Sequence, residues 1–345
     1  MSPPSQIFTP ESTAEEVASV LSEEIKGKNV LITGTSLNGI GFETARAIAR
    51  HANLVVITGY SAERLKLSED GIKKSVPTAN IRRLTLDLSS LDGVRKAAAE
   101  VNAYPEPIHV LIHNAAAAIG PFKLTVDNLE SQMATDHIGP FLLTKLLLNK
   151  LRSSGSPSFT PRVIFVSGAA HAYSPGISLS RITDPSAEGY TNFGAYWDAK
   201  CANILTASEL ARRGRGMINA FSIHPGFIFS NFVQKDGAVS ELQASGILTP
   251  DGLPNTEKYA WKTIEQGAAT SVAAAFDPSI SDKSGSYLVD CKISNESIAP
   301  HAADPVRNLL GAFDASQSDP VAYGQETAAK LWSLTEKIID EEFVF

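Results

Sequence analysis

In this 345-residue chain the pair best suited to chemistry by type and spacing is Tyr196 and Lys200, four positions apart. On a helix that spacing puts both side chains on one face. A phenol ionises near pH ~10, and a neighbouring ammonium stabilises the phenolate and lowers that value, giving a proton donor and acceptor usable near neutrality. Alone, such a pair describes a solvated helix face as readily as a catalytic one. A second feature gives it weight. Thr33-Gly34-Thr35-Ser36-Leu37-Asn38-Gly39-Ile40-Gly41 follows an apolar run and leads into FETARAIAR. Glycines there let the backbone turn sharply and approach a pyrophosphate, while the start of the helix offers unpaired N–H groups and a positive dipole. Asp87-Leu88 closes another apolar run with a carboxylate that could accept from an adenine amino group or cap a helix.

Other chemistries find little support. The histidines at 51, 109, 113, 137, 171, 224 and 301 show no ligand spacing such as HExxH, so no metal is expected. Cys201 and Cys291 form no CxxC pair and cannot staple a chain this size, which fits a reduced, cytoplasmic setting. With 30 Lys+Arg against 37 Asp+Glu the net charge is −7, so there is no basic field to hold nucleic acid. The most apolar run, FLLTKLLL at 141–148, carries Lys145 and falls short of the ~20 residues of a membrane span. The N-terminal stretch lacks the basic and apolar regions of a secretory signal. A soluble protein is expected.

The elements that must position these residues follow from periodicity. Residues 1–27 read as an N-terminal helical arm, with Thr9 as N-cap, Pro10 and Glu11 in the first turn, and Val17, Val20, Leu21 and Ile25 at helical spacing. From residue 28 to 345 one domain is expected. Its strands are 29–33, 54–58, 81–86, 109–113, 162–167, 218–224 and 286–290, with helices near 41–51, 91–103, 129–152, 196–213 and 261–276. Strands apolar throughout, alternating with helices, predict an α/β fold: a Rossmann-type doubly wound parallel sheet of about seven strands. Two long polar stretches, 171–195 and 231–258, follow strands at the ligand-binding edge and read as substrate loops. Phe193, Trp197, Phe227, Phe229 and Phe232 are candidate pocket walls, which suits an apolar or aromatic substrate. Phe141, Leu142 and Leu146–Leu148 read as core or subunit interface.

Taken in order, TGTSLNGIG at 33–41, Asp87-Leu88, HNAA at 113–116, DHIGPFLLT at 136–144, FVSGAAH at 165–171, Tyr196/Lys200 and HPGFIFS at 224–230 resemble the short-chain dehydrogenase/reductase family. The likeness is to its retinol-dehydrogenase-like branch and covers about residues 28–340. It implies NAD(P)-dependent hydride transfer to or from a carbonyl or alcohol carbon of a small-molecule substrate, with Tyr196 moving the proton and Lys200 tuning it and holding the ribose. By the same resemblance the cofactor would be lined by Gly34, Thr35, Ser36, Asn38, Gly39, Ile40, Gly41, Tyr60, Asp87, Leu88, Asn114, Ala115, Ala116, Pro225, Gly226, Ile228 and Ser230 besides Tyr196 and Lys200. The family often pairs its long helices into homodimers.

The departures carry as much information. Gly34 and Gly39 are five apart instead of four, with Asn38 the extra residue, and His113 and Ala116 replace the outer residues of the family's NNAG. Asp136 stands where the family has an asparagine that helps hold a relay water. A carboxylate there would keep Lys200 charged while partly cancelling its pull on the tyrosine. The family's serine, which hydrogen-bonds the substrate oxygen, aligns with Gly168. Ser167, one residue earlier, points to the other face of a strand unless the register slips, and His171, Tyr173 and Ser174 are the other candidate donors. These changes keep two further readings open: non-redox chemistry on the same fold (isomerase, dehydratase or cyclase in small-molecule biosynthesis) and a non-catalytic nucleotide-binding protein. For the cofactor, the second strand ends at Gly59 with no acid to repel a 2′-phosphate. The usual arginine is replaced by Tyr60, while Ser61, Arg64 and Ser36 could reach a phosphate. NADP(H) is expected over NAD(H).

Overall fold

Apolar β-branched strands need both faces covered, and the chain supplies helices on each side of them. The computed structural model describes residues 7–174, 176–234, 238–294 and 324–345; His301 lies outside them. In chain order α1 (Ala14–Val20) and α2 (Ser22–Ile25) precede β1 (Asn29–Ile32), α3 (Ile40–Ala49), β2 (Leu54–Gly59), α4 (Ala62–Ser75), β3 (Ile81–Thr85), α5 (Leu91–Asn102) and β4 (Val110–His113). A segmented helical stretch follows: α6 (Ser131–Met133), a π-helical turn (Ala134–Ile138), α7 (Gly139–Leu146) and α8 (Leu148–Arg152). Then come β5 (Arg162–Val166), a 3₁₀ turn (Ala169–Tyr173), α9 (Leu179–Thr183), α10 (Asn192–Gly214), β6 (Asn219–His224), β7 (Phe227–Ile228) and α11 (Ala238–Ala244). The last elements are β8 (Trp261–Lys262), α12 (Ile264–Phe276), β9 (Tyr287–Val289), β10 (Lys292–Ile293) and α13 (Gln325–Ile339).

Among the described residues the main sheet has eight strands in the order β10-β9-β6-β5-β4-β1-β2-β3. All pairings are parallel except β10 with β9. The seven expected strands are all present, and the added β10 is two residues long, too short to show as a sequence pattern. The order reverses between β1 and β4, which opens a crevice at their carboxyl ends where sheets of this single-domain α/β type bind ligands. Alternation along each strand divides the core. Leu31, Leu111 and Val163 join the cluster under α5, α7 and α10, whereas Ile32, Ile112 and Ile164 join the one under α1, α3 and α12.

Several elements differ from expectation. The first helix is capped by Thr13, not Thr9: Glu16 N donates to Thr13 Oγ1 at 3.3 Å and Thr13 N to Glu16 Oε2 at 2.8 Å, a reciprocal box that outweighs Pro10. Val17, Leu21 and Ile25 are buried as expected, but Val20 is 50% exposed. Glu15 of α1 bridges to Arg46 of α3 at 2.9 Å and to Arg50, the residue that ends α3, at 3.1 Å, and Arg46 also pairs with Glu43. The helical stretch expected at 129–152 runs from Ser131 to Arg152 with a π-helical turn at Ala134–Ile138 and a turn at Leu147, and it passes so close to the Leu88 carbonyl that a Cβ on Gly139 would be 2.3 Å from its oxygen. α4 and α13 were not expected. Trp332 of α13 is 1% exposed and stacks edge-on against Phe141 at 4.7 Å, with Arg213 of α10 over its ring. Beyond α13, Glu341 pairs with Arg95 of α5 and Lys145 of α7. The surface of the long helices is thus covered by the chain's own C-terminal segment.

Candidate active site

The glycine turn leaves β1 at the crevice. Gly34 has φ +71°, and a Cβ on it would lie 2.6 Å from Ala115 Cα; one on Gly41 would lie 2.3 Å from Asn114 Nδ2. The extra residue, Asn38, sits at φ 57°, a left-handed conformation that asparagine tolerates. Thr33 Oγ1 accepts from the Asn114 and Ala115 N–H groups, both at 3.0 Å, and Asn114 Nδ2 donates to the carbonyls of Thr33 and Gly34 at 2.9 Å. The turn is thereby bolted to the 114–116 loop. α3 starts behind Gly39 without a side-chain cap, so its first N–H groups face the crevice's ligand space. Asn231, just beyond the Pro225–Ser230 turn, donates through Nδ2 to the Leu37 carbonyl and closes the two turns against each other.

At the second strand, Tyr60 is 67% exposed and its hydroxyl accepts from Arg64 Nη1 at 3.0 Å. Ser61 Oγ is taken up as N-cap of α4, accepting from Arg64 N at 3.3 Å, whereas Ser36 is exposed. Asp87 is exposed, and its Oδ1 accepts from Ser89 N and Oγ at 2.9 and 2.6 Å; Ser90, not Asp87, caps α5. Leu88 is buried beneath Gly139.

The Tyr196/Lys200 pair is built by α10, capped by Thr191, which brings both side chains to its inner face. Lys200 Nζ lies 5.3 Å from the Tyr196 ring centroid and 2.9 Å from Asp136 Oδ2, with side-chain exposures of 4% and 0% for the ion pair. The π-helical turn is what presents Asp136, and its Oδ1 accepts from Ala117 N at 2.7 Å. Burial alone would lower the lysine's pKa, but Asp136 outweighs it and the ammonium is held charged. For Tyr196 the result is opposite to the simple two-residue expectation. Burial raises the phenol's pKa, Asp136 adds to the rise, and Lys200 only partly opposes them. The phenol is protonated at neutral pH, a proton donor in this state.

The oxygen-binding donor is where sequence and structure diverge. Ser167 is buried, and its hydroxyl donates to the Lys200 carbonyl at 2.7 Å, so its proton is committed to α10. Gly168 leaves open space: a Cβ there would meet nothing closer than Ala170 N at 3.8 Å. His171 Nδ1 lies 2.6 Å from the Gly168 carbonyl, and Ser174 Oγ donates to Asp198 at 2.6 Å. The Tyr173 side chain lies outside the described residues.

A cavity of about 160 Å³ opens beside this group. Of the expected aromatics Phe193, Trp197, Phe227 and Phe232 line it together with Tyr196, whereas Phe229 stands behind Trp261 at 6.3 Å. Phe193 belongs to the first turn of α10, not to the loop. Trp261 and His224 also line the cavity and were not expected there. His224 Nδ1 accepts from Ala169 N at 3.1 Å and Gly226 N at 3.4 Å, and burial pushes its pKa down to about 4. Its only sequence signal was its place in HPGFIFS. Next to it Lys262, paired with Asp290, packs on Gly226, where φ is +101° and a Cβ would be 2.8 Å from the lysine chain. Among the described residues no group of His, Cys, Asp and Glu could hold a metal ion, no helix is long and apolar enough to cross a membrane, and both cysteines are free and buried.

Several known proteins resemble this chain. Residues 28–178 match the family model described as short chain dehydrogenase. A chloroplastic short-chain dehydrogenase, TIC 32 A of Brassica napus, is 36% identical over 83% of this chain and 87% of its own length. Human retinol dehydrogenase 11 is 32% identical over 84% of this chain and 87% of its own length. Among solved structures, an uncharacterised protein from Mycobacterium paratuberculosis superposes with a TM-score of 0.61 at 26% identity, covering 93% of this chain and 96% of that one.

Proposed function

The chain belongs to the short-chain dehydrogenase/reductase family, of the retinol-dehydrogenase-like type, and on that premise we propose that it is an NADP(H)-dependent oxidoreductase reducing a carbonyl on a small apolar or aromatic molecule. The observation that carries this reading is the Tyr196 phenol, kept protonated and set at the wall of an aromatic cavity with the Lys200–Asp136 pair behind it. The residues present fit a dinucleotide: Gly34 and Gly41 let the turn pack tightly against Asn114 and Ala115, where a Cβ on either would clash, and the uncapped start of α3 offers N–H groups to a pyrophosphate. Gly34 to Gly41 and Asn114 would hold its phosphates and inner ribose, Asp87 and Tyr60 its adenosine end, and Pro225, Gly226, Ile228 and Ser230 its nicotinamide end. When bound, the nicotinamide supplies the hydride. Tyr196 would give its proton to the carbonyl oxygen, and Lys200 would hold ribose hydroxyls and steady the resulting phenolate. The aromatic walls exclude water and favour an apolar body on the substrate.

NADP(H) is favoured because nothing acidic stands at Gly59, while Arg64, hydrogen-bonded to Tyr60 at the same edge, offers a guanidinium to a 2′-phosphate. A cytoplasmic setting suits the two free cysteines. A homodimer would have to use faces other than those α13 covers. Gly168 and Asp136 favour one second reading, non-redox chemistry on this fold. NADPH fluorescence titration and a panel of aromatic ketones and aldehydes separate the two. Turnover abolished by Tyr196→Phe with cofactor binding spared supports the reductase; turnover unchanged in that variant overturns it. Dissociation constants measured in one buffer test the cofactor: NADH binding about tenfold tighter than NADPH, about 1.4 kcal/mol, would reverse the preference.

A further inference from the structure

A carbonyl reductase gains from a second hydrogen bond on the oxygen that gains charge, and among the described side chains none of the donors expected from the sequence delivers one. The Ser167 proton goes to Lys200's carbonyl, Ser174's to Asp198, and His171 turns Nδ1 to the Gly168 carbonyl, so its proton sits on that nitrogen. The space beside Gly168 is open. His224 lines the substrate cavity together with Gly168 and Tyr196.

We propose that His224 is a catalytic residue whose Nε2–H donates to the substrate carbonyl oxygen in place of the absent serine hydroxyl, beside the Tyr196 phenol. The tautomer is set by the backbone. Nδ1 accepts from two N–H groups, those of Ala169 and Gly226, so it carries no proton and Nε2 must carry it. The same two bonds fix the ring's orientation and tie it to both segments that flank the reacting centre: the 3₁₀ turn after β5 and the glycine of the cofactor turn. A neutral imidazole donates without giving its proton up, so the bond polarises C=O in the ground state and strengthens as negative charge builds on oxygen. His224 keeps its proton throughout, and no bond to Nε2 breaks. Burial holds the ring neutral across the physiological range, with its pKa down at about 4.

The inference rests on the reductase reading, and the test keeps the two apart. In His224→Asn the amide oxygen takes the position of Nδ1, so the Ala169 and Gly226 N–H groups keep their acceptor while the distal donor is lost. In His224→Gln the amide nitrogen reaches the position of Nε2 and keeps it. NADPH-dependent reduction of 4-nitrobenzaldehyde is followed for each, with NADPH dissociation constants and melting temperatures measured alongside. His224→Asn should lower kcat about 100-fold at unchanged NADPH affinity, and His224→Gln should retain most activity. Gly168→Ser should raise the activity of His224→Asn at least about tenfold yet change the parent by less than about threefold, because one oxygen needs only one replacement donor. Activity of His224→Asn within about threefold of the parent, or a Gly168→Ser effect equal in both backgrounds, overturns the role of His224 and leaves the reductase reading intact. No turnover by the parent chain overturns both.

Discussion

Replacing Asp136 with asparagine probes the buried electrostatics of the site most directly. The carboxylate stands 2.9 Å from the Lys200 ammonium with both side chains almost fully buried. At an effective dielectric constant of about 20, unit charges at that separation attract by roughly 6 kcal/mol, a ceiling equivalent to about four pH units. The asparagine oxygen retains part of that attraction as a hydrogen bond, and burial already works against the ammonium, so the expected shift is about one to two units. Its sign does not depend on which residue keeps the last proton. Removing a negative charge eases loss of the first proton from the Tyr196–Lys200 pair, and the two titrate together. Alcohol oxidation requires the phenolate, so the midpoint of the rising limb of its pH profile moves down in D136N. The assay is kcat for NADP⁺-dependent oxidation of benzyl alcohol from about pH 7 to 11.5, reaching past the ordinary phenol value of ~10, with melting curves to establish that the variant is folded. A midpoint unchanged or moved up in folded D136N would refute the argument that Asp136 adds to burial in keeping the tyrosine protonated.

Gly41→Ala forces a Cβ to 2.3 Å from Asn114 Nδ2 and 2.5 Å from the Gly34 carbonyl. It should cost about 1–3 kcal/mol in urea unfolding and weaken NADPH binding at least about tenfold by fluorescence titration. Trp332→Ala empties a fully buried site against Phe141 and should lower stability by about 3–5 kcal/mol. By uncovering the long-helix surface it should also raise the apparent mass in light scattering relative to the parent. Acid should destabilise the fold through His113 and His137, whose burial pushes both pKa values down to about 3. An unfolded histidine protonates near pH ~6.5, so this stability is intact above that pH and falls below it by up to about 1.4 kcal/mol per unit per histidine. Urea midpoints at about pH 7 and 5 read the loss.

Why some of this was legible in the sequence and some was not has a physical basis. Strands such as 54–58 and 162–167 announced themselves because burial on both faces demands continuous apolar residues. α4 did not: its exposed face is laced with Lys66–Asp70 and Lys73–Glu69 pairs, and only Leu65, Ser68 and Ile72 are buried. The capping box at Thr13 and Glu16 was present in the sequence but Pro10 was a competing start signal. Asp136 beside Lys200 could be read from motif order alone, whereas the effect on Tyr196 could not, since it depends on how burial and two opposite charges balance in space. The direction of the Ser167 hydroxyl and the tautomer of His224 are tertiary facts. Each is decided by a backbone group far away in the chain, a carbonyl on α10 in one case and an N–H at Ala169 in the other.

The clamp between α1 and α3 has a consequence for ligand affinity. Glu15 grips Arg46 and Arg50 toward the end of α3 remote from the glycine turn, so α1 restrains the helix whose opposite end would meet the pyrophosphate. A restrained receptor loses less freedom when its ligand arrives. Whatever α1 contributes to cofactor affinity by that route, bound cofactor must return to the docking of α1 by the same factor, since coupling free energy is reciprocal. Amide hydrogens in α1, a helix packed on α3 and α12, should therefore exchange more slowly as NADPH is added, and a Glu15→Gln chain should lose both the slowing and part of the affinity together.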